Sequence, residues 1–117
     1  MREFIEKMRE QGLVIDVEEP VSADMQAPKM AAGTDKLLFF HKIEGRRAVM
    51  NLTASRRSLS IALGIDEQKM VKTLADAKFD GNVRTSGKIS MKKPSLSSIP
   101  VMHHFPRDAG KYLTSGI

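Results

Sequence analysis

Apolar positions along this chain fall first at helical spacing and then at alternating spacing. Phe4, Ile5 and Met8 share one side of a helix over residues 2–11, and Gly12 is a natural stop. Leu13-Val14-Ile15-Asp16-Val17 is short and rich in β-branched side chains, which predicts a strand ended by Glu18-Glu19-Pro20. Ser22 or Asp24 is the expected cap of a second short helix reaching Ala32 and closed by Gly33. Pro28 fits that helix only in its first turn. Residues 36–42 and 48–52 form a predicted hairpin around a Glu44-Gly45-Arg46-Arg47 turn. Thr53 or Ser55 then caps a helix from Arg56 to Leu63, stopped by Gly64. Asp66 caps another over residues 67–78, whose stripe of Met70, Val71, Leu74 and Ala75 is expected in the core.

Beyond Asp80 the periodicity fails. Gly81, Gly87, Pro94, Pro100, Pro106 and Gly110 break the segment, with Ser86, Ser90, Ser95, Ser97 and Ser98 among them. Only residues 88–91 keep a faint strand pattern. Alternation resumes over 112–117, as a strand that should run several residues further. The expected organisation is an α/β domain over 1–79, a Pro/Gly/Ser-rich basic connector over 80–111, and the truncated first strand of a following domain over 112–117. The fold class is α+β: a short mixed sheet with three to four helices packed on it.

Composition narrows the chemistry more than the fold. With 117 residues the chain supports one modest core, and 5% aromatic content leaves aliphatic side chains and eight methionines to fill it. The absence of cysteine removes disulfides, thiolate zinc sites and thiol catalysis. No apolar run suits a membrane span, and the alternately acidic and basic N-terminus is no signal peptide, so a cytoplasmic location is expected. The net charge of +5 is uneven: residues 81–107 hold no Asp or Glu but carry Arg84, Lys88, Lys92, Lys93 and Arg107. That stretch suits phosphate, nucleic acid or the acidic surface of another domain. No aromatic stacking platform accompanies it, which counts against nucleic acid.

No constellation of side chains makes a catalytic or metal site. Glu18 and Glu19 are adjacent, so on extended chain they diverge, whereas acid–base pairs must converge. His103 and His104 diverge for the same reason and lack any metal-ligand spacing; His41 is expected as an ordinary half-exposed histidine. Arg56 and Arg57, at the start of a predicted helix, are the candidate anion-binding pair, because helix N-termini favour negative charge.

Three stretches together resemble one family. Met1-Arg2-Glu3-Phe4-Ile5-Glu6, Gly12-Leu13-Val14 and Val17-Glu18-Glu19-Pro20-Val21-Ser22 look like the opening of the UbiD-like decarboxylases. Asn51-Leu52-Thr53-Ala54-Ser55-Arg56-Arg57, followed by Ala62-Leu63-Gly64, is similar to that family's Asn-Leu, Ser-Arg-Arg and Ala-Leu-Gly segment. Ile99-Pro100-Val101, His104-Phe105-Pro106, Asp108-Ala109-Gly110 and Tyr112-Leu113-Thr114-Ser115-Gly116-Ile117 resemble its most specific signature, with Ala109 where the family usually has Gly. The region 79–95 is shorter and less alike.

The resemblance implies a 3-octaprenyl-4-hydroxybenzoate carboxy-lyase-related lyase that decarboxylates an aromatic or α,β-unsaturated acid without oxidation. Such enzymes use prenylated FMN, a divalent metal (Mn or Mg) and potassium. It further implies a split-barrel flavin domain and an oligomerising C-terminal domain as partners, and a homo-oligomeric parent. The family's catalytic and metal-binding residues come after the last strand, so no catalytic or metal residue is expected in this chain. Only Thr114 and Ser115 are candidates to approach the cofactor. The fragment alone is expected to bind no flavin and to be inactive. Ubiquinone-pathway hydroxybenzoates and other unsaturated acids stay open as substrates. A separate small subunit docking on a catalytic chain, and a basic nucleic-acid-binding module, are the alternative readings.

Overall fold

The computed structural model describes residues 1–78 and 99–112. Seven elements run in order: α1 (Arg2–Glu10), β1 (Val14–Val17), α2 (Gln26–Ala32), β2 (Leu37–Ile43), β3 (Arg46–Met50), α3 (Arg56–Leu63) and α4 (Met70–Asp76). The strands form one mixed sheet in the order β1-β2-β3, the α+β architecture expected from the pattern. β1 and β2 are parallel and joined through α2, and β2 and β3 are an antiparallel hairpin.

Alternation along β2 divides the core into two faces. Leu37 and Phe39 point to the α1 side, where they meet Ile5, Met8, Val49 and Ile61. Leu38 and Phe40 point to the α2 side, against Ala27, Ala31, Val21 and Met102. Strict alternation would put Ile43 with Leu37, yet it packs beside Phe40. The cause is a register shift between Phe40 and Ile43, which inserts an extra residue into β2 and reverses the parity of the strand's last residues.

Local chemistry accounts for the ends of the elements, with three departures from the sequence pattern. α2 is headed by Met25 in a left-handed conformation (φ 58), not by Ser22 or Asp24. Ser22 Oγ instead accepts from Asp24 N, while the Asp24 carboxylate turns to His103. Pro28 does lie in the first turn of α2. The hairpin turn is only Glu44-Gly45, both at positive φ as a tight two-residue connection of twisted strands requires; Arg46 and Arg47 belong to β3.

α3 begins and ends as expected, with Ser55 and Ser58 in a reciprocal capping box and Gly64 at φ 65. The Asp66 carboxylate caps the turn leading into α4 by accepting from Gln68 N and Lys69 N, and the α-helix itself starts at Met70. Of the expected stripe only Met70 is buried; Val71, Leu74 and Ala75 are exposed. Helical spacing identifies an apolar face but not whether another element covers it. The strand expected over 88–91 lies outside the described residues, as does all of 112–117 except Tyr112.

Candidate functional site

The segment 99–112 returns to the domain and fastens onto the loop before α2. His103 N donates to Ala23 O at 3.0 Å and Met25 N to His103 O at 2.8 Å, which is a parallel bridge between Asp24 and His103. Met102 enters the core beneath α2, and Tyr112 N closes the segment by donating to Met102 O at 2.9 Å. The Asp24 carboxylate meets His103 Nδ1 at 2.7 Å, and His103 Nε2 is buried without a partner among the described residues. His104 diverges from His103, as extended chain requires, and packs its ring 4.8 Å from Tyr112. Partial burial and the Asp108 carboxylate push the Tyr112 phenol above its ordinary value.

This docking leaves an open groove of about 550 Å³ walled by Met25, Pro28, Met50, His104, Phe105 and Pro106, with Lys29 at its rim. No spacing in the sequence announces it. Its walls come from three separated segments, and only the apolar Phe105 between His104 and Pro106 signals a surface feature. The loop after β3 is held as firmly. Asn51, at φ 59, donates through Nδ2 to Ala31 O and Thr34 O, both at 2.8 Å, tying the end of β3 to the C-terminus of α2.

A second polar cluster lies on the α1 face. Arg9 donates to Asp16 through two nitrogens at 2.7 and 3.2 Å and stacks over Phe39, 5.7 Å from the ring centre. His41 Nε2 lies 3.0 Å from Asp16 Oδ1 and 3.2 Å from Glu18 Oε1, with its ring against Phe39. The Arg9 hydrogen bonds, helped by His41, hold the Asp16 carboxyl below the usual carboxylate range, and Asp16 in turn raises Arg9. Of the two adjacent glutamates, Glu18 is the one that reaches His41.

The Arg56–Arg57 pair sits at the start of α3. Arg57 donates to Gln11 Oε1 at 3.3 Å, and Ser58 N is taken up by Ser55 Oγ. Arg56 shares a shallow depression with Asp66, Glu67 and Gln68, so an anion there would face two carboxylates. Thr114 and Ser115 lie outside the described residues. Among the described residues no group of three or more His, Asp or Glu side chains could hold a metal ion, and no helix is long and apolar enough to cross a membrane.

The elements from α1 to α4 coincide with a match to known proteins. The family model described as the 3-octaprenyl-4-hydroxybenzoate carboxy-lyase N-terminal domain covers residues 5–78. The chain is similar to the anhydromevalonate phosphate decarboxylase of Methanosarcina mazei, 31% identical over 99% of this chain and 29% of the relative. It is also similar to the enzyme of that name from Archaeoglobus fulgidus, 34% identical over 64% of this chain and 19% of the relative. The chain thus spans less than a third of the length of these curated relatives. A family match over most of the chain, reaching every helix and strand of the fold, places this chain in the family of carboxy-lyase N-terminal domains of the UbiD-like decarboxylases.

Proposed function

We propose that this chain is the N-terminal domain of a cytoplasmic enzyme that removes CO₂ without oxidation from an unsaturated acid bearing a phosphate group. The observation that carries the reading is the similarity, along 99% of the chain, to a protein named for decarboxylating anhydromevalonate phosphate. A leaving CO₂ deposits an electron pair on carbon, and prenylated FMN supplies the electron sink for it. In this reading the flavin, the divalent metal and potassium are held by parts of the enzyme beyond the described residues. The complete enzyme is taken to be a homo-oligomer. The domain's contribution is architectural: it presents a rigid surface to the parts that hold the cofactor.

The test has two arms. Prenylated FMN titrated into the isolated 117-residue chain is expected to show no binding and no CO₂ release; a tight stoichiometric complex would overturn the division of labour. The complete enzyme, loaded with prenylated FMN, metal and potassium, is expected to release CO₂ from anhydromevalonate phosphate in preference to 3-octaprenyl-4-hydroxybenzoate. The opposite preference would reverse the substrate assignment.

A further inference from the structure

Phe105 is 64% exposed, Ile99 39% and Tyr112 40%. Single apolar side chains on a surface are ordinary, but these three are gathered. Phe105 lines the groove beside α2, whereas Ile99 and Tyr112 line a second depression of about 310 Å³ along β3. The two share Met50 and His104, so they form one apolar strip running from Lys29 to Tyr112.

The strip is built on fixed backbone. Met25 holds its left-handed conformation through the bond from its N–H to His103 O, and Asp24 clamps His103 from the side. A non-glycine residue kept at positive φ by its surroundings is the kind of stored strain that accompanies a preformed recognition surface. The charge along it is one-sided: Lys29 lies on the first depression and Arg47 on the second, and no carboxylate among the described residues lines either. The chain also reaches Tyr112 at one end of this strip, and the relatives extend far past the matched length.

We infer that this strip is the seat on which the remaining part of the decarboxylase docks, through an apolar face rimmed by carboxylates that meet Lys29 and Arg47. The inference rests on the proposed function for the existence of that remaining part. It adds which face of the domain is used and what chemistry the opposing face carries. The exposed Val71 and Leu74 of α4 line neither depression and are outside the contact.

Hydrogen exchange followed by mass spectrometry tests this, comparing the isolated chain with the same chain joined to, or in complex with, the rest of the decarboxylase. Peptides covering α2, β3 and residues 99–106 are expected to exchange about tenfold more slowly or better in the larger assembly, with α4 unchanged. Phe105→Asp should abolish that protection and Lys29→Glu should weaken it, while the isolated chain keeps its melting temperature because both side chains lie on the surface. Equal exchange in the two forms, or protection confined to α4, overturns the proposal. So does protection of the strip in the isolated chain that grows with its concentration, which would make a second copy the occupant. Decarboxylation measured on the same unsubstituted assembly separates the two readings. A protected strip without CO₂ release sinks the proposed reaction, and CO₂ release with an unprotected strip sinks the docking surface.

Discussion

Replacing Asn51 by alanine is expected to destabilise the domain by about 3 kcal/mol, although the residue lies in a loop. Its amide nitrogen donates to Ala31 O and Thr34 O at 2.8 Å each, and those carbonyls belong to the last turn of α2 and the chain just beyond it. Helix C-termini leave carbonyls short of intrahelical donors; Ala31 O also receives a longer bond from Thr34 N at 3.4 Å, and the Asn51 amide supplies the shorter one. Each partly buried hydrogen bond contributes about 1 kcal/mol net. Alanine at φ 59 adds about 1 kcal/mol more, because asparagine tolerates the left-handed region and alanine does not. Urea denaturation measures the sum, and the melting temperature should fall by on the order of 10 °C. Asn51→Asp isolates the hydrogen-bond part: it keeps the size and the tolerance of positive φ but aims a carboxylate at two carbonyl oxygens. Facing those oxygens, the introduced carboxyl is expected to bind its proton more tightly when folded. Its deficit should therefore be largest at neutral pH and shrink as pH falls through that raised value. If Asn51→Ala stays within about 0.5 kcal/mol of the unsubstituted domain, water replaces the side chain and the reasoning fails.

Other contacts carry outcomes of their own. Arg9 and His41 depress the Asp16 carboxyl, so the stabilisation from this group is complete above its unfolded value near pH 4 and is lost as pH falls through the lower folded value. Asp16→Asn should flatten that part of the acid limb in urea midpoints taken from about pH 7 to about pH 3; an unchanged slope would mean that other carboxylates set it. Ser55→Ala removes the acceptor for Ser58 N and should cost about 1 kcal/mol in the same assay, against no change if the first turn of α3 finds water instead. Asp24→Ala should speed proteolysis within residues 99–112 and leave α3 as resistant as before, since the 2.7 Å contact to His103 is the shorter of the side-chain ties on that segment, beside Lys111–Glu44 at 3.4 Å. Uniform sensitivity across the domain would instead make Asp24 a residue of global stability.

The legible part of the sequence is local. Ser55 and Gly64 bound α3 because a cap hydroxyl and a left-handed glycine act on residues within one turn. β1 is announced by a β-branched run and β2 and β3 by short apolar runs on either side of a turn, and the sheet needs little more than a parallel pair and a hairpin. The departures come from contacts distant in sequence. Asp24 has the chemistry of a helix cap, but its carboxylate serves His103, 79 residues on, and Met25 takes the cap position in a conformation that no propensity scale favours for it. The register shift in β2 sends Ile43 to the opposite face from the one its alternation implies, and only the pairing with β3 reveals it. Val71 and Leu74 have core spacing without core burial, since spacing records a face and not its neighbour.

The residues that carry the family resemblance turn out to hold structure. Asn51 ties β3 to α2, Ser55 caps α3, Gly64 ends it, the Asp108 carboxylate accepts from Phe105 N, and Tyr112 N closes the returning segment on Met102 O. Arg57, the most chemical-looking member of the Ser-Arg-Arg stretch, donates to Gln11 at the end of α1. A motif made of such residues speaks for the shape of a domain, because each one satisfies a backbone group or ties neighbouring elements. The reaction must then be argued from the length of the similarity and not from the chemistry of the motif. The informative surface is then the apolar strip from Lys29 to Tyr112, where Ile99, Phe105 and Tyr112 stay exposed on backbone that the fold holds in place.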